Sequence, residues 1–222
     1  MKFSEELMPR VENAIKNGEE LCKSFASKSR QNVVLWLDLL GFQKQLIDDR
    51  QLALKRISVF HELTLQTVSS ELHIAQLNDA SVISMDFEDT DDVQKLINFL
   101  IKCDVLFELS TFADKRIGGY GTRGVISIGE RQGLRGNYGG IAPDGNLSVD
   151  KIRFASPVSI MMNMAFAKSY LVESSGSLIK EPALYLEEEL LNYDLVISPH
   201  WEDHQRISVN DNKYVLVRRD NE

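Results

Sequence analysis

The sequence predicts an α+β domain on a split β-α-β-β-α-β core, the ferredoxin-like arrangement, and three observations predict it. The run VVLWL at 33–37 is continuously apolar and β-branched at its start, as a central strand buried on both faces requires. Two long stretches repeat apolar residues at helical spacing, one through Leu52, Ile57, Phe60 and Leu63, the other through Leu96, Leu100, Val105 and Leu109. Between them LHIAQL and SVISM flank Asn78-Asp79-Ala80 and read as a β-hairpin. This core hosts many unrelated functions, so it licenses no activity by itself.

In chain order, residues 4–28 alternate charged and apolar positions, predicting an N-terminal helix broken near Pro9 and Gly18 and followed by an SKSRQN turn. Strand 33–37 comes next, and Asp38 ends it. The first core helix runs from the LLGF turn to about Ser70, and the hairpin after it carries Asp79 at its tip. Thr90 suits the N-cap of the second core helix, with Asp91 and Asp92 in its first turn favouring the helix dipole. Gly118, Gly119 and Gly121 break that helix before the strand TRGVISIGE.

Beyond the core, a Gly-rich loop (GLRGNYGGIAPDGN) leads to a helix opened by Ser156-Pro157, Ser as N-cap and Pro at the first helical position. That helix, VSIMMNMAFAKSYLVES, is apolar nearly all round, and Met161, Met162 and Met164 suit core or dimer interface. ALYLEEELL reads as a strand and short helix, and RISVNDNKYVLVRR as a closing hairpin turning at 210–212. The expected organisation is an N-terminal helical extension at 1–30 and a single catalytic domain at 31–222, its core extended by the C-terminal helix and hairpin.

Composition narrows the functions. With 25 Lys and Arg against 33 Asp and Glu the formal charge is −8, so a polymeric nucleic acid lacks its usual electrostatic footprint. A small anion can still bind where backbone amides and a metal supply the positive field. Cys22 and Cys103 form no metal spacing and read as small helix residues in a reducing compartment. The N-terminus has no apolar run and no stretch reaches membrane-spanning length, so the expectation is a cytoplasmic protein with no membrane partner.

The chemistry concentrates at Asp38 and Asp79. In the predicted order the first strand and the hairpin are neighbours, so the two acids meet at one end of the sheet. Carboxylates that close raise one another's pKa unless a cation lies between them. Two Mg²⁺ ions fit, since Mg²⁺ takes few protein carboxylates and completes its shell with water and phosphate. Such a pair serves in-line phosphoryl displacement. Leu39-Leu40-Gly41-Phe42-Gln43 then forms a strand-to-helix turn whose glycine allows close backbone approach and whose helix start points free amides outward. Each acid alone also suits ordinary turn or cap chemistry, so it is their pairing that favours a metal site. His61, His73, His200 and His204 lack ligand spacing.

These residues resemble a family. Asp38-Leu39-Leu40-Gly41-Phe42-Gln43 is similar to the metal-and-phosphate loop of class III nucleotidyl cyclases, with Asp79 at the place of their second metal aspartate. LDLLGF, NDASVIS, RGVISIGE and the Ser-Pro helix resemble the small bacterial cyclases of Pycsar antiphage systems, over about residues 33–217. The resemblance implies a uridylate or cytidylate cyclase with two Mg²⁺ or Mn²⁺ ions on Asp38, Asp79 and the Leu39 carbonyl. It implies that Gly41, Phe42 and Gln43 hold the triphosphate, with Lys213 a further phosphate contact. It also implies a homodimer that completes each site across the interface, and a separate effector that senses the product.

The pattern also departs from the family. Class III cyclases commonly present Asn and Arg one turn apart on the helix after the Gly-rich loop; Asn163 is present as a transition-state candidate, but Ala167 stands at the arginine's place and Lys168 points about 100° away, and if Ser156-Pro157 sets the register instead, Ile160 replaces the Asn. Arg153 falls near the base-selecting position, where a guanidinium donates to carbonyl oxygens and so favours uracil. Ala75 matches no adenine-reading lysine.

Overall fold

The structure is a computed structural model that describes residues 8–67, 72–87, 93–134, 163–193 and 205–219. The Thr90 cap, the Gly-rich loop beyond Leu134, Arg153, Ser156-Pro157, Met161, Met162, His200 and His204 lie outside the described residues. The chain divides into two compact units, Met1–Ser29 with Gln132–Met162, and Arg30–Arg131 with Asn163–Glu222.

In the first unit, helix α1 (Met8–Ser24) is continuous through Gly18, and Pro9 sits harmlessly in its first turn, where the missing N–H is not needed. Met8, Val11 and Ile15 line up at helical spacing and are exposed.

The second unit is a seven-stranded sheet ordered β2-β3-β1-β4-β5-β7-β6. Strand β1 (Phe25–Leu39) pairs antiparallel with β3 (Ala80–Phe87), which pairs antiparallel with β2 (His73–Leu77). Strand β4 (Thr122–Leu134) lies on the other side of β1, completing the order of a ferredoxin-like core. SKSRQN, expected as a turn, belongs to β1: Gln31 and Asn32 pair with Phe87 and Asp86, and the Asn32 amide donates to Asp86 Oδ1 at 2.7 Å. Cross-strand partners for polar side chains override turn propensity here.

Helices α2 (Phe42–Asp48), α3 (Arg50–Thr67) and α4 (Val93–Arg116) follow β1 and β3. The expected single helix after Gly41 is two, because Asp49 leaves helical geometry (φ −146°, ψ 86°) and its carboxylate accepts from Leu52 N at 3.0 Å. Alternation along β1 then decides what faces what. Val33, Leu35, Leu37 and Leu39 pack with Ala53, Phe60, Leu96 and Leu100 of α3 and α4, which turns Asn32, Trp36 and Asp38 to the opposite face.

That face carries helix α5 (Met164–Ser174), whose Val172 packs with Val125, Ala183, Tyr185 and Leu216. The helix expected to run on from Ser156-Pro157 instead begins at Met164. Asn163 is extended (φ −116°, ψ 114°) and its side chain caps the first turn. Nor is α5 buried all round: Ala165, Ser169 and Val172 face inward, while Met164, Tyr170 and Leu171 are exposed. Strand β5 (Ala183–Glu187) runs parallel to β4, passes into a 3-10 turn (Glu188–Tyr193), and pairs antiparallel with β7 (Asn212–Arg219), which closes the hairpin with β6 (Gln205–Val209). Asn210 and Asp211 take positive φ (48° and 67°), the tight hairpin turn their side chains tolerate.

Candidate active site

Register brings the two acids together. Asp38 pairs with Ala80, the residue after Asp79, and Leu39 N donates to the Asp79 carbonyl at 3.0 Å. The ends of β1 and of the β2-β3 turn are therefore joined by backbone, and both acids remain partly exposed. Asp38 is pushed up to about 8 by burial first, then by the charges of Asp79 and Glu173; Arg123 and the Leu39 amide pull it back only in part. Arg123 is otherwise engaged, donating to Glu173 Oε1 at 2.6 Å and to the Ile179 carbonyl at 3.2 Å.

The donor set suits a hard cation: two aspartates beside solvent, with no soft ligand among the described residues around them. Among the described residues no group of three or more His, Cys, Asp or Glu is arranged for a metal. Asp38 and Asp79 thus fit an ion that takes the rest of its shell from water and phosphate, not a closed protein cage.

The next turn is built to expose amides. Leu40 N donates to the Gly121 carbonyl at 3.0 Å, fastening the turn to the start of β4. Gly41 at φ 67° serves as N-cap of α2 without any side-chain cap, so the first amides of that helix are left to other acceptors. Phe42 is buried and anchors the helix start, whereas Gln43 is exposed. Any Cβ at Gly41 would meet the Tyr120 ring at 2.8 Å, so both backbone angle and space require glycine.

Beneath this turn lies a buried ion pair. Arg56, 0% exposed, donates Nε to Asp114 Oδ1 at 2.7 Å and Nη2 to Asp114 Oδ2 at 2.8 Å. Its Nη2 also donates to the Leu40 carbonyl at 2.8 Å, its Nη1 to Gln45 Oε1, and its guanidinium lies 5.7 Å from the Tyr120 ring centroid. Asp114 Oδ2 in turn accepts from Gly121 N at 2.8 Å. Sequence reasoning passed over both residues. The available signal was periodicity, since Arg56 falls with Ala53, Phe60 and Thr64 on the buried stripe of α3.

The other expected site residues lie elsewhere. Asn163 is 3% exposed; its Oδ1 accepts from Phe166 N at 3.2 Å and its Nδ2 donates to Asn32 Oδ1 at 2.6 Å. Asn32 precedes Asp38 by six strand residues, roughly 20 Å at ~3.3 Å per residue, so within one chain Asn163 is a helix cap beside the middle of β1, away from Asp38. Lys213 is exposed next to Tyr214, which pairs with Glu187 at the end of β5 remote from Ala183. Ala183 pairs with Arg123 near Asp38, so Lys213 also lies at the wrong end of the sheet for this chain's own site. Lys168 is committed to Glu187 Oε1 at 2.6 Å and the Ile128 carbonyl at 2.9 Å, and Ala167 is exposed.

Comparison with solved structures matches this architecture. The guanylyl cyclase Cya2 superposes with a TM-score of 0.52 at 12% identity, covering 86% of this chain and 92% of that one. A bacterial light-regulated adenylyl cyclase gives 0.51 at 10% identity, covering 97% of this chain and 66% of that one. At such identities the likeness is one of fold. No protein-family model matches the chain, and no curated protein matches it by sequence.

Proposed function

We propose that this chain is a metal-dependent nucleotidyl cyclase that converts a nucleoside triphosphate to its 3′,5′-cyclic monophosphate and pyrophosphate. One observation carries the reading: Asp38 and Asp79 converge beside the uncapped Gly41 turn, on a fold shared with guanylyl and adenylyl cyclases. In the reaction the ribose 3′-oxygen forms a bond to the α-phosphorus, the bond to the β-phosphate oxygen breaks, and the 3′-hydroxyl proton is released. Asp38, Asp79 and the Leu39 carbonyl would hold two Mg²⁺ or Mn²⁺ ions, which would supply Lewis-acid stabilisation of the developing charge. Asp38 and Asp79 orient those ions. The Gly41 turn and the amides of Phe42 and Gln43 receive the triphosphate tail.

The finer assignment is a pyrimidine substrate, UTP before CTP, made for second-messenger signalling in antiphage defence and read by a separate effector. It is supported by the LDLLGF, NDASVIS and RGVISIGE motifs and by Arg153, whose guanidinium can donate to uracil carbonyls. A homodimer is supported by Met164, Tyr170 and Leu171 exposed along α5. Completion of the site by a second chain also fits the distance of Asn163 and Lys213 from this chain's own carboxylates.

Incubation of the protein with each of the four nucleoside triphosphates and Mn²⁺, followed by mass spectrometry of the products, tests this. Wild type yields a cyclic monophosphate and Asp38→Ala does not; equal behaviour of the two ends the proposal. A second reading, a cyclase-like module that binds nucleotide without turnover, is favoured by the commitment of Asn163 to capping and by Ala167 in the arginine's place. Calorimetric binding of triphosphate with no product from any base selects it.

A further inference from the structure

We propose that the buried Arg56–Asp114 pair positions the triphosphate-binding turn, so that its loss weakens phosphate binding while leaving the metal carboxylates intact. The inference rests on the nucleotide-binding reading above. Buried Phe42 anchors the start of α2, but the turn ahead of it has no side-chain hydrogen bond of its own to fix it. Gly41 contributes none, and no cap reaches the first amides of α2. Its position is instead set from below: Arg56 holds the Leu40 carbonyl and Gln45, and Asp114 holds the Gly121 amide, whose own carbonyl accepts from Leu40 N. The two strands of this connection are thus gripped by two halves of one ion pair.

The packing around the pair leaves it one arrangement. A Cβ at Gly119 would fall within the contact radii of the Asp114 carboxylate and Arg56 Nε, and one at Gly121 would meet Pro182 at 2.6 Å. Tyr120, between these glycines, meets both neighbours: a Cβ at Gly41 would touch its ring at 2.8 Å, and the Arg56 guanidinium lies 5.7 Å from its centroid. A planar guanidinium with donors in a fixed fork serves Asp114, Leu40 and Gln45 at once, whereas an ammonium can satisfy the charge without the fork. Asp38 and Asp79, by contrast, are fixed by the β1-β3 register and the Leu39–Asp79 backbone bond, neither of which involves Arg56. Amide donors pay off in phosphate binding only when correctly placed, and a displacement of about 1 Å can cost on the order of a hundredfold.

The test uses the full chain with inorganic tripolyphosphate as probe. Thermal shift by Mn²⁺ alone reports the carboxylates; calorimetry of tripolyphosphate in the presence of Mn²⁺ reports the turn. Arg56→Lys keeps the charge opposite Asp114, and Arg56→Met/Asp114→Leu replaces the pair with apolar volume, a change that buried ion pairs often tolerate. The expected result is an unchanged Mn²⁺ shift with tripolyphosphate affinity reduced about tenfold or more in both variants. A folded Arg56→Lys protein that binds tripolyphosphate within about twofold of wild type overturns the proposal, because the fork geometry is then irrelevant. So does a loss of the Mn²⁺ shift, or failure of both variants to fold, either of which makes the pair a general scaffold. Absence of tripolyphosphate binding by wild type in Mn²⁺ overturns the nucleotide-binding reading itself, and with it this inference.

Discussion

Leu39 N and the Asp79 carbonyl are hydrogen bonded at 3.0 Å, so the residue that follows one acid is tied to the backbone of the other. Neither carboxylate can move along its strand without its partner. The burial of Asp38 and the facing charge of Asp79 are therefore fixed by the fold, and both are read out in the titration of Asp38.

Stability without metal should fall as pH rises. Asp38 ordinarily titrates near 3.8 and in the folded chain near 8, so between these values the folded state holds a proton that the unfolded state has released. The Asp38 contribution is full below about 3.8 and is lost progressively up to about 8. Melting temperatures of the metal-free protein, taken relative to those of Asp38→Asn, should decline across this window. Mn²⁺ should restore most at the alkaline end, with proton release visible when calorimetry is repeated in buffers of different ionisation enthalpy. Asp38→Asn should flatten this contribution to the slope and remove the Mn²⁺ effect together.

Glu173→Gln should act on the same titration from a distance. It removes one of the charges that raise Asp38 and releases Arg123 from its 2.6 Å partner, leaving that guanidinium to face Asp38 instead. The Asp38 titration should shift downward and fewer protons should leave on Mn²⁺ binding. Binding of Mn²⁺ should also weaken, because a freed cation competes for the carboxylate. An unchanged proton count in calorimetry would show that Glu173 does not reach Asp38 electrostatically.

Gly41→Ala meets two penalties at once, the left-handed φ of 67° and the Tyr120 ring at 2.8 Å. The conformational part alone costs about 1–2 kcal/mol. Tripolyphosphate binding should fall sharply. The double variant with Tyr120→Ala should recover the steric share but not the conformational one, as measured by urea midpoints.

Asn163→Ala should separate a capping role from a catalytic one. Loss of the cap costs about 1 kcal/mol, and the buried Asn32 Oδ1 loses its donor as well. The urea midpoint should drop while the Mn²⁺ shift at Asp38 and Asp79 is retained. A midpoint equal to wild type would contradict the capping assignment.

The core was legible because its signals are local. VVLWL, the Asn-Asp turn and the helical spacing of α3 and α4 each declare an element within a dozen residues, and right neighbours follow from the βαββαβ order. What escaped depends on distant partners. Gln31 and Asn32 look like turn residues until Asp86 stands opposite, and Asn163 looks available until Asn32 and the α5 first turn engage it. Arg56 reads as a solvated helix charge unless its place on the stripe with Ala53 and Phe60 is noticed. Its partner Asp114, 58 positions on, is not inferable from any spacing.

The bond from Leu40 N to the Gly121 carbonyl has a consequence for the order in which the molecule acquires competence. Asp38 and Asp79 can meet once β1 and the β2-β3 hairpin have paired, but the turn that would take phosphate stays unfastened until the chain has come back through α4 into β4. Such long-range closure comes late in folding. Any ligand that prefers the fastened turn will therefore favour the finished sheet over every partly assembled form, and its concentration becomes a lever on how much of the chain is complete.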